Sequence, residues 1–406
     1  MKILLLNLYY PPDTSATAKM AATVIEALSA QHDVTILCGR PSYDPTERRP
    51  WRFWQTESSG RVRILRVGST DYPRFAMKRR VLNYLSYVAF AIPRALFIPC
   101  DLILAMTDPP FEGIVGAIVA LLKGKPYVYN IRDMYPDMAV GGAIVEPGLL
   151  ARVWEKLHRW ALRRATRVIV LGDDMRARII AKHVDPAHVE IVRDGTDILP
   201  PAAPQSALDS EVIRTIRGDF KFVFLHAGNL GFYGAWETLI EATRQLEKSN
   251  PDVGLVFVGD GAQRDRLAAL ANGCKSIRFL PFFPAKKIPS VMAAGDVHVI
   301  TVKKGLEGVV VPSKLYGTLA AGRPILAVAD IASDVSVIAQ EKKCGHAASP
   351  QIPLQVFMAM RTMAAGGADS PELKAMGEAA RAIAPDYDRV KELQKFVKII
   401  EGAVKA

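Results

Sequence analysis

The chain predicts an α/β fold of two doubly wound, Rossmann-like domains facing across a cleft. Three observations carry that expectation. Short, almost continuously apolar runs rich in Val, Ile and Leu alternate with amphipathic helical stretches along both halves. Runs of that kind are strands buried on both faces, as in parallel sheets covered by helices. The alternation breaks once, at the Pro/Ala/Ser-rich "ILPPAAPQSALDS", residues 198 to 210, and then restarts. Finally, 406 residues, half of them hydrophobic, exceed one compact core and suit two domains of about 200 residues each.

Along the first half, "KILLLNL" is a buried strand whose apolar run is too short for a secretion signal. "YYPPDTSATAKMA" is a small-residue loop with an N-cap at Thr14 or Ser15, leading into the amphipathic helix "ATAKMAATVIEALSAQ". "DVTILC" and "RVRILRVG" are the next strands. Residues 74 to 99, "RFAMKRRVLNYLSYVAFAIPRALFIP", form an almost uncharged helix headed by Arg74, Lys78, Arg79 and Arg80. A core helix with a solvated basic end would read this way. The clustering of those cations beside Tyr84, Tyr87 and Phe90 favours instead a helix lying in the interface of an anionic membrane. The strands "DLILAM", "PYVYNIR" and "RVIVLG" follow, with the helix "LLARVWEKLHRWALRRA" between the last two. Arg132, Asp133 and Asp137 stand just beyond "PYVYN", either as loop-fixing ion pairs or as groups facing the cleft.

In the second half "FKFVFLHAG", "VGLVFVGDG", "SIRFLPFF", "DVHVIT" and "PILAVAD" are strands, and "GAWETLIEATRQLEK" is a helix. Gly228, Gly231 and Gly234 stand at a spacing of three where the first strand hands over to that helix. Such glycines let backbone approach a ligand closely, but they do not spell the Gly-x-Gly-x-x-Gly dinucleotide fingerprint. Asp260 and Gly261 mark another strand end. Taken singly, each reads equally well as a plain turn. In "EGVVVPSKLYGTLAAGRPILAV", residues 307 to 328, Ser313 is placed to cap a helix that Gly322 and Pro324 stop. Lys314 then falls in the first turn, where a cation is disfavoured unless an anion lies nearby. It reads as a phosphate ligand or as a solvated surface lysine, and local sequence does not choose.

Composition narrows the classes. The formal net charge of +11 points to an anionic partner, and no aromatic-basic motif of the nucleic-acid binders is present. Four scattered cysteines, none in metal-ligand spacing, suit reduced thiols in the cytosol. No His/Asp/Glu cluster has metal-ligand spacing, and no apolar run reaches bilayer length.

The stretch at 307 to 328 resembles the donor-site signature of the family-4 retaining glycosyltransferases of the GT-B fold. It is similar to the fucosamine-transferase-like branch that builds bacterial surface polysaccharides. "HAGNLGFYGAWETL", "YNIRDMYPDMAV" and "YYPPDTSATA" carry the same resemblance, in order, from residue 3 to about residue 330. It implies an acceptor-binding domain at 1–197 and a nucleotide-sugar domain at 198–385. It also implies a last helix, within 386–406, that returns to the first domain.

By the same resemblance Gly228, Asn229, Leu230, Gly231, Asp260, Gly261, Gly308, Val309, Ser313 and Lys314 bind the donor, with Lys314 on the phosphates. Glu307 contacts the donor sugar and Asp133 orients or deprotonates the acceptor hydroxyl. Thr14, Ser15, Arg132 and Asp137 line the acceptor side. The expected partners are a nucleotide-sugar, UDP-linked in most of the family, a polyprenyl-linked saccharide and the anionic inner membrane surface, without cofactor or metal. The chain departs from the wider family in three places. Gly317 stands where a glutamate holds the ribose, and Asn229 and Gly234 stand where an Arg and a Lys hold the pyrophosphate. A sugar-nucleotide epimerase and a non-catalytic partner subunit are the rival readings.

Overall fold

Each half of the chain builds a sheet whose central strands are apolar on both faces, and helices cover them. A computed structural model describes residues 1–42, 50–72, 77–142, 144–197 and 208–405, without the side chains of 77 and 78. Arg74, the Lys78 side chain and most of the stretch read as a linker therefore lie outside the described residues. The chain divides into two units, Met1–Val192 with Lys391–Ala406, and Arg193–Val390.

The first unit runs β1 (Lys2–Leu6), α1 (Ala16–Ser29), β2 (Asp33–Cys38), β3 (Trp54–Ser59), β4 (Val62–Val67), α2 (Met77–Leu96), β5 (Leu102–Ala105) and α3 (Glu112–Lys123). It continues with β6 (Tyr127–Asn130), α4 (Asp137–Gly141), α5 (Leu149–Arg164), β7 (Arg167–Val170), α6 (Asp173–Ala181) and β8 (Val189–Ile191). The sheet order is β3-β4-β2-β1-β5-β6-β7-β8. All neighbours are parallel except β3, which lies antiparallel on β4. Strand order reverses between β1 and β5, and ligands of doubly wound sheets bind beyond the strand ends at such a switch point.

The second unit runs α7 (Ser210–Arg217), β9 (Phe222–Ala227), α8 (Trp236–Glu247), β10 (Val253–Val258), α9 (Arg264–Leu270), β11 (Ile277–Leu280), α10 (Ile288–Ala294) and β12 (Val297–Thr301). Then come α11 (Lys314–Ala320), β13 (Ile325–Val328), α12 (Asp334–Glu341), β14 (Gly345–Ala348), α13 (Pro353–Ala364) and α14 (Pro371–Ile383), after which α15 (Arg389–Lys405) belongs almost wholly to the first unit. The second unit's sheet order is β11-β10-β9-β12-β13-β14, all parallel. The switch point here lies between β9 and β12.

Three strands were not legible in the sequence. β3, "WQTESS", has one wet face and no apolar run; β8 and β14 are only three and four residues long. Each sits at or next to a sheet edge, where a template strand supplies the pairing that composition does not.

The end of the chain completes the first core. Phe396, Ile400 and Ala403 of α15 are buried in one cluster with Ile3 and Leu5 of β1 and Val24 and Leu28 of α1. His32 Nε2 lies 3.1 Å from Glu401 Oε1 beside that cluster. Ile400→Ala should destabilise the first unit by about 2–5 kcal/mol, the cost of a cavity at a fully buried aliphatic site. Chemical denaturation followed by far-UV circular dichroism measures it, and a change below about 0.5 kcal/mol would mean that α15 does not complete that core.

Candidate functional site

Glycines decide how the loops at the switch point of the second sheet pass one another. Gly228, Gly259 and Gly261 have φ of 145°, 153° and 158°. A Cβ at 259 would stand 2.0 Å from the carbonyl oxygen of Gly228, and one at 261 would stand 2.5 Å from that of Leu230. The loops after β9 and β10 therefore interlock backbone to backbone. The N–H of Gly228 donates to Val258 O and that of Leu230 to Asp260 O. These two amides hold the loop together and do not point to a ligand. Asp260 is exposed and accepts from the Gly261 N–H at 2.8 Å. The Asn229 side chain lies against Gly261, with its Oδ1 2.5 Å from where a Cβ would be.

The other side of the switch point is tied to this loop. The Lys303 N–H donates to Tyr233 O at 2.6 Å, and Thr301 Oγ1 accepts from the Ala235 N–H at 3.0 Å. Trp236 donates from Nε1 to Gly231 O at 2.7 Å. Its ring occupies the space a side chain at Gly234 would need, with a closest approach of 2.2 Å. Beneath the loop His226 is buried and bonded through Nδ1 to Val299 O at 3.0 Å. Burial, with Lys314 nearby, holds it well below the usual histidine range, so it is neutral.

Lys314 crosses to this loop from α11. A Cβ at Gly228 would meet its Cε at 2.2 Å, and its Nζ lies 5.6 Å from the centre of the Tyr233 ring. Burial pulls its ammonium down to about 8. No carboxylate pairs with it among the described residues. Two residues 86 positions apart thus meet because one of them has no side chain.

The helix that carries Lys314 ends as its sequence demands. Gly322 has φ 62°; its N–H donates to Leu319 O, and the Arg323 N–H donates to Thr318 O, the paired bonds of a Schellman stop. Its start corrects the expectation for Ser313. That residue is helical, at φ −55° and ψ −17°, and its side chain caps nothing. A capping hydroxyl needs extended backbone to reach forward, whereas this turn already begins at Pro312, whose carbonyl accepts from the Leu315 N–H.

Glu307 is half-buried and accepts from the Gly305 N–H at 2.6 Å. Gly308 has φ 66°, while Val309 is fully buried with its N–H on Leu306 O. At Gly317 a Cβ would meet nothing within 4 Å, so this face of α11 is open.

In the first unit Ser15, not Thr14, caps α1, accepting from the Ala18 N–H at 3.1 Å. Arg132 and Asp133 are half-buried just beyond β6. Asp137 is held elsewhere. Its Oδ2 accepts from Lys182 Nζ at 2.7 Å, and the same ammonium lies 2.6 Å from Glu155 Oε2. Asp137, Glu155 and His158 bring ligand atoms within 4.8 Å of one another. The Lys182 ammonium already supplies the positive charge between the carboxylates, and burial drops His158 to about 3.

Asp108, at this switch point, escaped the sequence reading, as did the inward placement of Arg80 beside it. Asp108, just past β5, accepts from the Leu8 N–H through its carbonyl at 2.6 Å. Burial raises its carboxyl pKa, against a hydrogen bond from Thr17 and the charge of Arg80. Arg80 lies over the Tyr84 ring at 5.6 Å and donates to the Tyr9 hydroxyl at 3.4 Å. It therefore turns toward the sheet's ligand edge, away from the outward basic face expected of it. Arg79 is exposed, over the Tyr72 ring. "MTDPP" directly after a strand was the signal available for Asp108.

Known proteins share this architecture. The glycosyl transferase 4-like domain matches residues 15–195, and the glycosyl transferases group 1 family matches residues 221–365. The probable glycosyltransferase WbjE of Pseudomonas aeruginosa is 26% identical over 307 residues, 74% of each chain. The putative colanic acid biosynthesis glycosyl transferase WcaI of Escherichia coli is 26% identical over 342 residues, 79% of this chain and 82% of that one. The crystal structure of Anabaena HepE in complex with UDP and glucose shares the fold. It has a TM-score of 0.70 at 18% identity, covering 99% of this chain and 100% of that one.

The Gly228–Lys314 contact has a direct test. Gly228→Ala should push Lys314 toward water and move its titration midpoint from about 8 toward the ordinary lysine value of about 10.4. Carbon-13 NMR of labelled lysine side chains reads that midpoint; an unmoved one would mean that Gly228 does not set the burial of Lys314.

Proposed function

Since the chain belongs to the group 1 glycosyl transferases, with a glycosyl transferase 4-like first unit, we propose that it moves a sugar from a nucleoside diphosphate sugar to a hydroxyl of a lipid-linked saccharide in bacterial surface-polysaccharide assembly. The observation that carries this reading is Lys314: an ammonium with no acidic partner among the described residues, drawn over Gly228 at the switch point of the second sheet. A diphosphate there supplies the counter-charge that burial leaves wanting. The N–H groups of Asn229 and Gly231, which the loop's own backbone bonds leave aside, add donors beside it. The naming of UDP with HepE supports a uracil base, and that of WcaI supports a polysaccharide product.

The chemistry we assign retains configuration at the sugar. The bond from the anomeric carbon to the diphosphate breaks, and its electron pair goes to the leaving oxygen, where Lys314 balances the charge. The acceptor oxygen bonds to that carbon on the same face. Its proton passes to the departing phosphate, so no covalent enzyme nucleophile is needed. Glu307 holds sugar hydroxyls, and Asp133 in the first unit orients the acceptor hydroxyl. No step uses a metal. The reaction takes place at the cytoplasmic face of the inner membrane. The net charge of +11 and exposed Arg79 beside exposed Val81, Leu82 and Leu85 support that placement. No described helix is long and apolar enough to cross a membrane.

Lys314→Ala should raise the transfer barrier by about 2–4 kcal/mol, the scale for one lost donor to a developing oxyanion. UDP affinity of the unmodified protein should fall as pH rises through about 8, where Lys314 loses its proton, and the variant should lack that fall. Transfer kinetics with labelled nucleotide-sugars and calorimetry with UDP read both. A variant with unaltered turnover and pH dependence would place the diphosphate elsewhere. Glu307→Gln, in contrast, should lower turnover while leaving the affinity for free UDP largely intact. Equal loss of both would put Glu307 at the nucleotide end.

A further inference from the structure

We propose that the aromatic cavity between β3 and α2 binds the hydrocarbon chain of an anionic lipid, whose phosphate rests on Arg94. This deepens the membrane-side reading above and rests on it for the biological setting. α2 buries one stripe, Asn83, Tyr87, Ala91 and Ala95, at four-residue spacing. Tyr87 anchors that stripe, its hydroxyl lying 3.0 Å from Leu37 O and 2.9 Å from Glu112 Oε1. Leu85, on the opposite face, is 56% exposed, and Phe97, just past the end of the helix, is 80% exposed.

β3 brings a second apolar wall to the same place. Trp54 is 64% exposed and Phe53 58%. These rings are held, not splayed. Trp51 meets Phe53 edge-on at 4.5 Å, and Phe53 meets Phe90 edge-on at 6.1 Å. Trp51 lies so close over Gly68 that a Cβ there would stand 3.0 Å from its ring, and the Gly68 N–H donates to Phe53 O at 2.8 Å. Between the walls is an open cavity of about 440 Å3, lined by Phe53, Trp54, Phe90, Pro93, Arg94 and Phe97 among others. That size suits a small-molecule chain, and an exposed aromatic patch of this extent marks an interaction surface.

Charge selects the occupant. Arg94 is the charged residue of the lining, and no carboxylate lies among the lining residues. Neither the Arg94 guanidinium nor that of the exposed Arg52 beside Trp51 has an ion-pair or hydrogen-bond partner among the described residues. A guanidinium kept at an apolar cavity without an anion fits a phosphate supplied from outside. Tryptophans with one wet edge are the residues that sit at the boundary of a bilayer. A phosphate-headed lipid satisfies both walls and the cation. A second copy of this chain would bring a second unpaired Arg94 to the same interface.

The test uses the full chain and sedimentation with vesicles of phosphatidylglycerol in phosphatidylcholine. Trp54→Ser with Phe97→Ser changes two exposed side chains. It should cut partitioning by about tenfold or more, the least expected from withdrawing two aromatic contacts, and leave UDP affinity unaltered. Arg94→Gln should weaken binding to these vesicles and not to phosphatidylcholine alone. Phosphatidylglycerol brominated along its chains should quench indole fluorescence of the unmodified protein and quench the Trp54→Ser, Phe97→Ser form less. Unaltered partitioning of the double variant, or equal quenching, would overturn the proposal. So would a solution dimer that the double variant dissociates with vesicle binding intact, since the face would then belong to a second copy. Loss of vesicle binding by the variants of a protein that transfers no sugar would sink the transfer reading and leave the lipid site standing. Vesicle binding untouched by the variants, in a protein that glycosylates a water-soluble acceptor, would do the reverse.

Discussion

The close approach of two loops at the carboxyl edge of the second sheet is the constraint on which the candidate site depends. Strands β9 and β10 are neighbours, so their loops leave the sheet side by side, about 4.8 Å apart. Side chains at 259 and 261 would force the loops apart, since Cβ atoms there would stand 2.0 and 2.5 Å from carbonyl oxygens of the loop after β9. Glycine removes the clash and also permits the positive φ that turns each loop. The consequences reach beyond the loops. The gap over Gly228 is the channel through which Lys314 enters. Lys314 in turn lies near a histidine that burial keeps neutral, so His226 adds no positive charge beside it. One backbone constraint thus fixes both the position of the ammonium and its lowered proton affinity.

The first sheet repeats the topology and makes a different surface from it. At its switch point no glycine-to-glycine crossing of this kind occurs among the described residues. The edge is built from Tyr9, Tyr84, Arg80 and Asp108, a cation enclosed by rings and a carboxylate partly desolvated. Topology determines where a ligand can sit, while the side chains determine which one. A lone ammonium suits a highly charged diphosphate. A mixed set of aromatic, acidic and basic groups with near-balanced charge suits a hydroxyl-rich ligand that must be oriented.

Much of the architecture was legible because parallel strands advertise themselves. "LILA" and "ILAV" are apolar at every position, as burial on two faces requires. The helix stop at Gly322 was legible for a similarly local reason: a Schellman turn needs glycine at one position. Where burial or pairing came from distant residues, the sequence was silent. β3 exists because β4 offers it an edge, and its own alternation is mostly polar. Ser313 looked like a cap because its neighbours resemble a helix start, but Pro312 begins the turn one residue earlier. Asp137 read either as a loop-fixing ion-pair partner of a nearby arginine or as a group facing the cleft, yet Lys182, far along the chain, claims it. The contact of Gly228 with Lys314 was the hardest to foresee, since no local pattern links two loops 86 residues apart.

Net charge alone proved a blunt guide to ligands, and pairing is the sharper one. Many of the chain's cations are already committed. Arg40 pairs with Asp71 and Arg217 with Asp296, and Lys182 bridges two carboxylates. Such pairs contribute little to the field felt by a distant anion, because each cation is neutralised within a few ångströms. What remains to attract a ligand is the small set of cations that burial brings close to apolar surface without a partner. Lys314 over Gly228 and Arg94 in its aromatic cavity both meet that description, one in each unit. The environments differ in a way that separates their ligands. Backbone amides and a half-open helix face surround Lys314, which suits the many oxygens of a diphosphate. Rings surround Arg94, which suits a single phosphate that trails a hydrocarbon chain.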